Sequence, residues 1–177
     1  MRRAISCVLA SVLTLCNVEA GALASDTEQP ILIEADTLDA DDVKGVTIYR
    51  GNVRYTQGTI VLTSDILTAY TVKGELKKIE AEGNPVKFKQ QPENNDQELR
   101  GQAKKMEYFA DTEILHLLGA AHLWQGADEF LGNRIDYDTQ RQYVKASKAE
   151  SGEGRVQVII APRKNKSSAG SVPPAQR

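Results

Sequence analysis

Gly51-Asn52-Val53-Arg54-Tyr55-Thr56-Gln57-Gly58 returns 68 residues later as Gly119-Ala120-Ala121-His122-Leu123-Trp124-Gln125-Gly126. The same offset matches Ala35 with Ala103, Leu38 with Met106, Leu62 with Phe130, Asp65 with Asn133 and Leu67 with Ile135. A shorter period lies inside it. Gly83-Asn84-Pro85-Val86-Lys87-Phe88 begins 32 residues after Gly51, and Gly154-Arg155-Val156-Gln157-Val158 begins 35 residues after Gly119. Self-similarity at this spacing marks a stack, in which no unit buries its apolar face alone and neighbours close a continuous core.

Working outward, the local period is two. Ile31 and Ile33, Val53 and Tyr55, Val86 and Phe88, and Val156, Val158 and Ile160 alternate with polar residues, as half-buried strands do. Gly, Asn and Asp separate the runs where turns need positive φ. A second strand pattern recurs in each unit: Asp36-Thr37-Leu38-Asp39-Ala40, Asp65-Ile66-Leu67-Thr68-Ala69, Lys104-Lys105-Met106-Glu107-Tyr108 and Asn133-Arg134-Ile135-Asp136-Tyr137. Each unit is expected to alternate this strand with one that starts at the glycine. Gln97 to Ala110 is the best helical stretch, but Met106-Glu107-Tyr108 fits the strand pattern. The fold class is therefore all-β, with stacked antiparallel strands and solenoid-like internal repeats.

The ends read differently. Met1-Arg2-Arg3, the apolar run Ala4 to Leu15 and the small residues of Ala22-Leu23-Ala24 predict a secretory signal peptide over residues 1–24. A lipoprotein signal ending at Cys16 is the rival, and the large Leu15 before that cysteine argues against it. Both cysteines, Cys7 and Cys16, lie in this segment, so the remaining chain has no disulfide or thiolate chemistry. Residues 25–162 read as one domain, and residues 163–177 as a disordered basic tail with almost nothing to bury. Asn165-Lys166-Ser167 in that tail matches a glycosylation sequon by chance. Of 22 basic and 24 acidic residues the signal takes two and one, leaving 20 against 23. That balance excludes a nucleic-acid binder, which would show clustered Lys and Arg.

Catalytic signatures are missing. The chain has no Gly-x-Ser-x-Gly elbow and no phosphate-binding Gly-x-x-x-x-Gly-Lys loop. His116 and His122 stand six apart in β context with a turn expected at Gly119, and no third ligand stands at a metal-binding spacing. They read as surface imidazoles. Asp39, Asp41 and Asp42 lack the glycine and distal glutamate of a calcium loop and read as the start of a turn. Asp39 and Glu107 are a repeat-related carboxylate pair of the sort a glycosidase on a β-helix would use, and they read equally as solvated outer residues. The expectation is no enzyme, no metal and no cofactor.

The runs Gln29 to Gly45, Tyr49 to Tyr70 and Gly83 to Phe88 are similar to the OstA-like family of periplasmic lipopolysaccharide-transport proteins. The likeness covers Gln29 to about Pro162. It implies a twisted, V-shaped β-jelly roll in the periplasm of a Gram-negative bacterium. It also implies a hydrophobic trough that bridges the two membranes and carries lipopolysaccharide by its lipid A. The partners implied are further copies of the chain joined head to tail, an LptC-like inner-membrane component and the N-terminal domain of an LptD-like outer-membrane component. His116, His122 and Trp124 depart from the plainer residues expected at their positions.

The candidate lining is the alternating apolar set: Ile31, Ile33, Val46, Ile48, Val53, Tyr55, Leu62, Leu67, Val86, Phe88, Met106, Tyr108, Leu115, Leu117, Leu123 and Ile135. Taken alone, these residues fit a dry core as well as a trough, and a polymerising structural β-solenoid without lipid is the alternative function. The resemblance favours the trough. Exposing an acyl chain to water costs about 0.8 kcal/mol per CH₂, so about a dozen carbons cost on the order of 10 kcal/mol. The open edges are expected at Ile31, Leu32 and Ile33 and at Val156, Val158 and Ile160, the latter in a run without charge or proline.

Overall fold

The computed structural model describes residues 25–92, 97–149 and 154–162. The expected signal peptide and basic tail lie outside them. Ten strands form one antiparallel sheet: β1 (Ile31–Glu34), β2 (Thr37–Asp41), β3 (Val46–Gln57), β4 (Ile60–Val72), β5 (Glu75–Gln90), β6 (Leu99–Phe109), β7 (Ile114–Gln125), β8 (Asp128–Asp138), β9 (Tyr143–Ser147) and β10 (Gln157–Ile159). A short 3₁₀ turn, Asp26–Glu28, precedes β1. The stretch with some helical character is β6, as the repeat pattern requires.

Six long strands pair in sequence order, and each is interrupted in its middle. The register jumps between Arg50 and Val53 in β3, Glu82 and Val86 in β5, Gln102 and Lys105 in β6, and Leu118 and Ala121 in β7. These bulges line up across the sheet, and extra residues on one strand bend it and strengthen its twist. They divide the sheet into two wings of eight strands. One edge of the sheet is shared by β1 on the first wing and β2 on the second, both paired with β3. The opposite edge is shared by β10 on the first wing and β9 on the second, both paired with β8.

The repeat that opened the sequence is this corner. Gly51 and Asn52 have φ of 77° and 48°, and Gly119 and Ala120 have 76° and 50°. Two consecutive left-handed residues are costly for L side chains, which is why glycine leads both motifs. The expectation of strands that start at glycine is corrected: Gly51 and Gly119 sit inside β3 and β7, where the strand bends and continues. Gly83-Asn84-Pro85 sits likewise inside β5, with the Asn84–Pro85 peptide cis. Gly154 differs: it stands before β10, and β10 is shorter than the run Val156–Ile160.

The core lies between the wings. A side-chain carbon placed on Gly101, in the first wing, would come 2.9 Å from Leu117 Cδ2 of the second. The absence of a side chain at Gly101 is what lets the opposite leucine pack there.

Candidate functional site

Antiparallel pairing carries one residue of each strand into a row across the sheet, and all members of a row share a face. On the first wing one inner row reads Ile33, Tyr55, Leu62, Phe88, Gly101, Leu123, Phe130 and Val158. On the second wing the matching row reads Leu38, Tyr49, Leu67, Ala81, Met106, Leu117, Ile135 and Ala146. A further row, Ala40, Thr47, Ala69, Ile79, Tyr108, Leu115, Tyr137 and Val144, lies beyond it. The two wings thus face each other with apolar side chains, and most of these residues form one hydrophobic cluster, from which the edge residues Leu38 and Val158 are left out.

Eleven of the candidate lining residues belong to the buried cluster: Val53, Tyr55, Leu62, Leu67, Val86, Phe88, Met106, Leu115, Leu117, Leu123 and Ile135. Ile33 and Tyr108 pack against it while partly exposed. Ile31 is inner-facing but exposed, at the edge. Val46 and Ile48 are corrected: the register sets Ile48 opposite Thr68 and beside Tyr49, so both point to the outer face. Alternation in Val46-Thr47-Ile48-Tyr49 offers two phases, and the more aliphatic one faces outward. The inner face takes Thr47 and Tyr49.

Sequence reasoning passed over Leu99, Ala81, Ala103, Ala121, Tyr137 and Gly101, all buried. Alanine and glycine carry too little apolar surface to register as alternation. Leu99 is hidden by the polar stretch before it. Tyr137 had a signal, the spacing Ile135-Asp136-Tyr137.

The interior carries few polar groups. Ser64 Oγ is buried without a hydrogen-bond partner. The Tyr55 hydroxyl donates to Gln57 Oε1 at 2.6 Å. Burial, helped by the neighbouring Tyr108 and Asp26, pushes the Tyr55 phenol up to about 12. Burial raises Tyr108 and Tyr137 as well, assisted by the charges of Glu113 and Asp138 respectively. All three phenols stay neutral at physiological pH and add no charge to the apolar interior.

The outer face is charged and internally paired. Lys78 donates to Glu80 and lies 3.3 Å from Glu107, and Lys105 lies 3.1 Å from Glu107 and 3.4 Å from Glu80. The hydrogen bonds that Lys78 donates above all to Glu80, and Lys105 above all to Glu107, raise the two lysines. Burial works to raise Glu80, but Lys78 and Lys105 together hold it below the usual carboxylate range. His116 Nδ1 meets Asp136 Oδ1 at 2.6 Å, and His122 Nε2 meets Glu129 Oε2 at 2.8 Å. Both histidines stand on the outer face of β7, on different wings, and His122 stacks on Trp124 at 3.6 Å. Asp39 pairs with Arg50. Asp41 Oδ1 accepts from the Lys44 N–H at 3.0 Å and so caps the turn expected there. Asp39 and Glu107 share an outer row, separated by three strands and engaged with different cations, so they do not form a paired-carboxylate site.

The edges are exposed on both sides of the sheet. At one edge Ile31, Leu32 and Leu38 are open to solvent; at the other Tyr143, Val156, Val158, Ile159 and Ile160 are. Each edge comprises two short strands rather than one, so β2 and β9 join the two edges expected from the sequence.

Comparison with known proteins agrees with this geometry. Residues 32–143 match the family model described as LptA/(LptD N-terminal domain) LPS transport protein. The chain is 34% identical over 149 residues to the lipopolysaccharide export system protein LptH of Pseudomonas aeruginosa, covering 81% of this chain and 85% of that protein. It is 33% identical over 170 residues to LptA of Escherichia coli strain K12, covering 94% and 90%. The crystal structure of LptH, described as the LptA-homologous periplasmic component of the lipopolysaccharide transport device of Pseudomonas aeruginosa, superposes with a TM-score of 0.72 at 33% identity. That match covers 78% of this chain and all of that one.

Proposed function

This chain belongs to the LptA/LptD N-terminal-domain family of lipopolysaccharide transport proteins, and we propose that its apolar interior is the conduit. The observation that carries the reading is the pair of apolar rows facing each other from the two wings. An acyl chain entering between them replaces one apolar contact with another, so the apolar area stays out of water throughout. That near-balance suits a carrier. A lining without deep polar anchors offers many sites of similar energy along which a lipid can slide.

In this reading the chain works in the periplasm and passes lipopolysaccharide from the inner to the outer membrane. Acyl chains lie among residues such as Ile33, Phe88, Tyr108 and Leu123. The central rows touch across the wings, so the wings part to admit a lipid, hinging at the corner bulges. The two exposed edges join copies head to tail by strand addition, β1 and β2 of one molecule meeting β9 and β10 of the next. Such a contact does not close on itself and extends. The same edges offer a docking site for similar domains of an LptC-like inner-membrane component and of an LptD-like outer-membrane component. The polymerising solenoid without lipid draws on the same edges and uses the facing apolar rows only as a core; the family to which the chain belongs favours the conduit.

The test is to purify the protein from cells that make lipopolysaccharide and to assay for lipid A by mass spectrometry. Stoichiometric lipid A that is lost when Phe88 is replaced by glutamate supports the conduit. Protein that carries no lipid A above the level of an unrelated periplasmic protein contradicts it.

A further inference from the structure

The rim of the first wing, next to β1, is closed by the chain itself. The turn between β3 and β4 holds Gly58 and Thr59, and the short segment Ser25–Gln29 lies against it. Asp26 Oδ1 accepts from the Thr59 backbone N–H at 2.6 Å, and Asp26 Oδ2 accepts from the Thr59 hydroxyl at 2.7 Å and from Gln90 Nε2 at 3.0 Å. The approach is so close that a side-chain carbon on Gly58 would sit 2.2 Å from Asp26 Oδ1. Gln57 ties the other side. Its Nε2 donates to the carbonyls of Thr27 at 3.3 Å and Gln29 at 3.2 Å, while its Oε1 receives the Tyr55 hydroxyl.

These anchors mark the mouth of the interior. Gln57 stands opposite Ile31 and two residues from Tyr55, and so faces inward. Gln90 stands opposite Leu99, which is wholly buried. The segment contributes no buried residue of its own. Its hold is therefore made of hydrogen bonds, and lifting it exposes no core side chain of the segment. Asp26 has no cationic partner among the described residues; three neutral donors satisfy it.

We propose that Ser25–Gln29 is a strap latched by Asp26 across the rim of the interior, and that its release admits the acyl chains of the ligand. The inference rests on the conduit reading and adds to it a gate at a named place. The latch fits a gate because a charge-assisted hydrogen bond is worth more than a neutral one, yet replaces water contacts that Asp26 regains when it lets go. The strap leads straight through Pro30 into β1, so its release also frees the entry to that edge.

The experiment compares the parent protein with Asp26→Ala and the milder Asp26→Asn, using two readouts. Amide hydrogen exchange of Ile31–Glu34 and Thr59, without lipid, reports the latch. Stopped-flow binding of fluorescently labelled lipopolysaccharide reports the gate. If entry runs through the open state, loss of the carboxylate contacts raises both rates about tenfold in Asp26→Ala, with a smaller rise in Asp26→Asn. Unchanged exchange overturns the latch. Faster exchange with unchanged lipid entry overturns the gate and leaves the conduit standing. Failure of parent and variants alike to bind lipopolysaccharide overturns the conduit, and the gate with it, whatever the exchange shows.

Discussion

The middle of the sheet and its two edges are built from the same materials and end in opposite states. Leu67, Leu117, Leu123 and Ile135 in the middle are 0% exposed, whereas Ile31 is 47%, Leu38 56% and Val158 49% exposed at the edges. All seven face inward, and all but Ile31 lie in the two rows that face each other across the wings. Only their neighbours differ. A middle residue has a strand on both sides and the other wing across from it; an edge residue lacks one neighbour. The apolar pattern therefore runs past the end of the molecule, as if a further strand were to follow. Natural sheets usually blunt their edges. Here the N-terminal edge keeps Leu32 and the C-terminal edge keeps Ile159 beside the inward residues, and both are open to solvent.

If burial by neighbours makes the difference, the largest effect belongs to the middle. Leu117→Ala should cost about 3 kcal/mol, because the surrounding wings cannot collapse onto the space it leaves. Val158→Ala should cost under about 1 kcal/mol in the isolated molecule. Urea denaturation of both variants measures the contrast, and equal losses would break it.

The corners sharpen the comparison next. Gly51 and Gly119 have the same φ, but a side chain on Gly51 would meet Asp36 Oδ2 at 2.2 Å, whereas on Gly119 it would meet the flexible Lys104 side chain at 3.3 Å. Asp36 clasps the edge corner, accepting from Asn52 Nδ2 at 2.9 Å and donating its backbone N–H to Arg50 and Gly51 carbonyls. Both Gly→Ala changes incur left-handed strain of about 1 kcal/mol. Gly51→Ala should cost about 1 kcal/mol more than Gly119→Ala, because the clasp must move.

The phenol of Tyr55 gives a smaller, pH-dependent effect. Its folded value of about 12 lies above its ordinary 10.0. Ionisation is thus disfavoured in the folded state, and the associated stability is full below pH 10 and lost as pH rises towards 12. The loss should be on the order of 1 kcal/mol after allowance for partial solvation. Tyr55→Phe should flatten the stability profile over this interval; an unaltered profile would show that another group dominates.

The smallest effect on the fold and the largest on association is expected from Val158→Pro. Proline fixes φ and removes an N–H, which an edge strand tolerates and an added strand does not. Thermal unfolding should shift by no more than the equivalent of about 1 kcal/mol. Light scattering should show monomer at concentrations where the parent forms oligomers, and persistent oligomers would place the joint elsewhere than β10.

The repeat made the fold legible because the glycines that recur are those the bend cannot do without. Their place in the strand was less legible. A Gly-Asn pair looks like a hairpin turn, and only the partner strands on both sides reveal that the chain bends there and carries on. The interior was legible wherever Leu, Ile or Val marked the phase, as at Leu115, Leu117 and Leu123. It was misread at Val46 and Ile48, where an aliphatic outer face competes with the inner Thr47 and Tyr49. It was unreadable at Gly101, whose contribution is the absence of a side chain. The strap left no trace in periodicity either. Its contacts join Asp26 to Thr59 and Gln90, residues too far apart in sequence and too ordinary in type to suggest a site.

The central claim is that the inner rows carry lipid and the outer rows do not. A photo-crosslinking residue at Ile33, Phe88 or Tyr108 tests it against the same residue at Arg54 or Lys87, whose register places them on the outer face. In cells that make lipopolysaccharide, the inner set should capture it and the outer set should not. Equal capture from both sets would contradict the conduit.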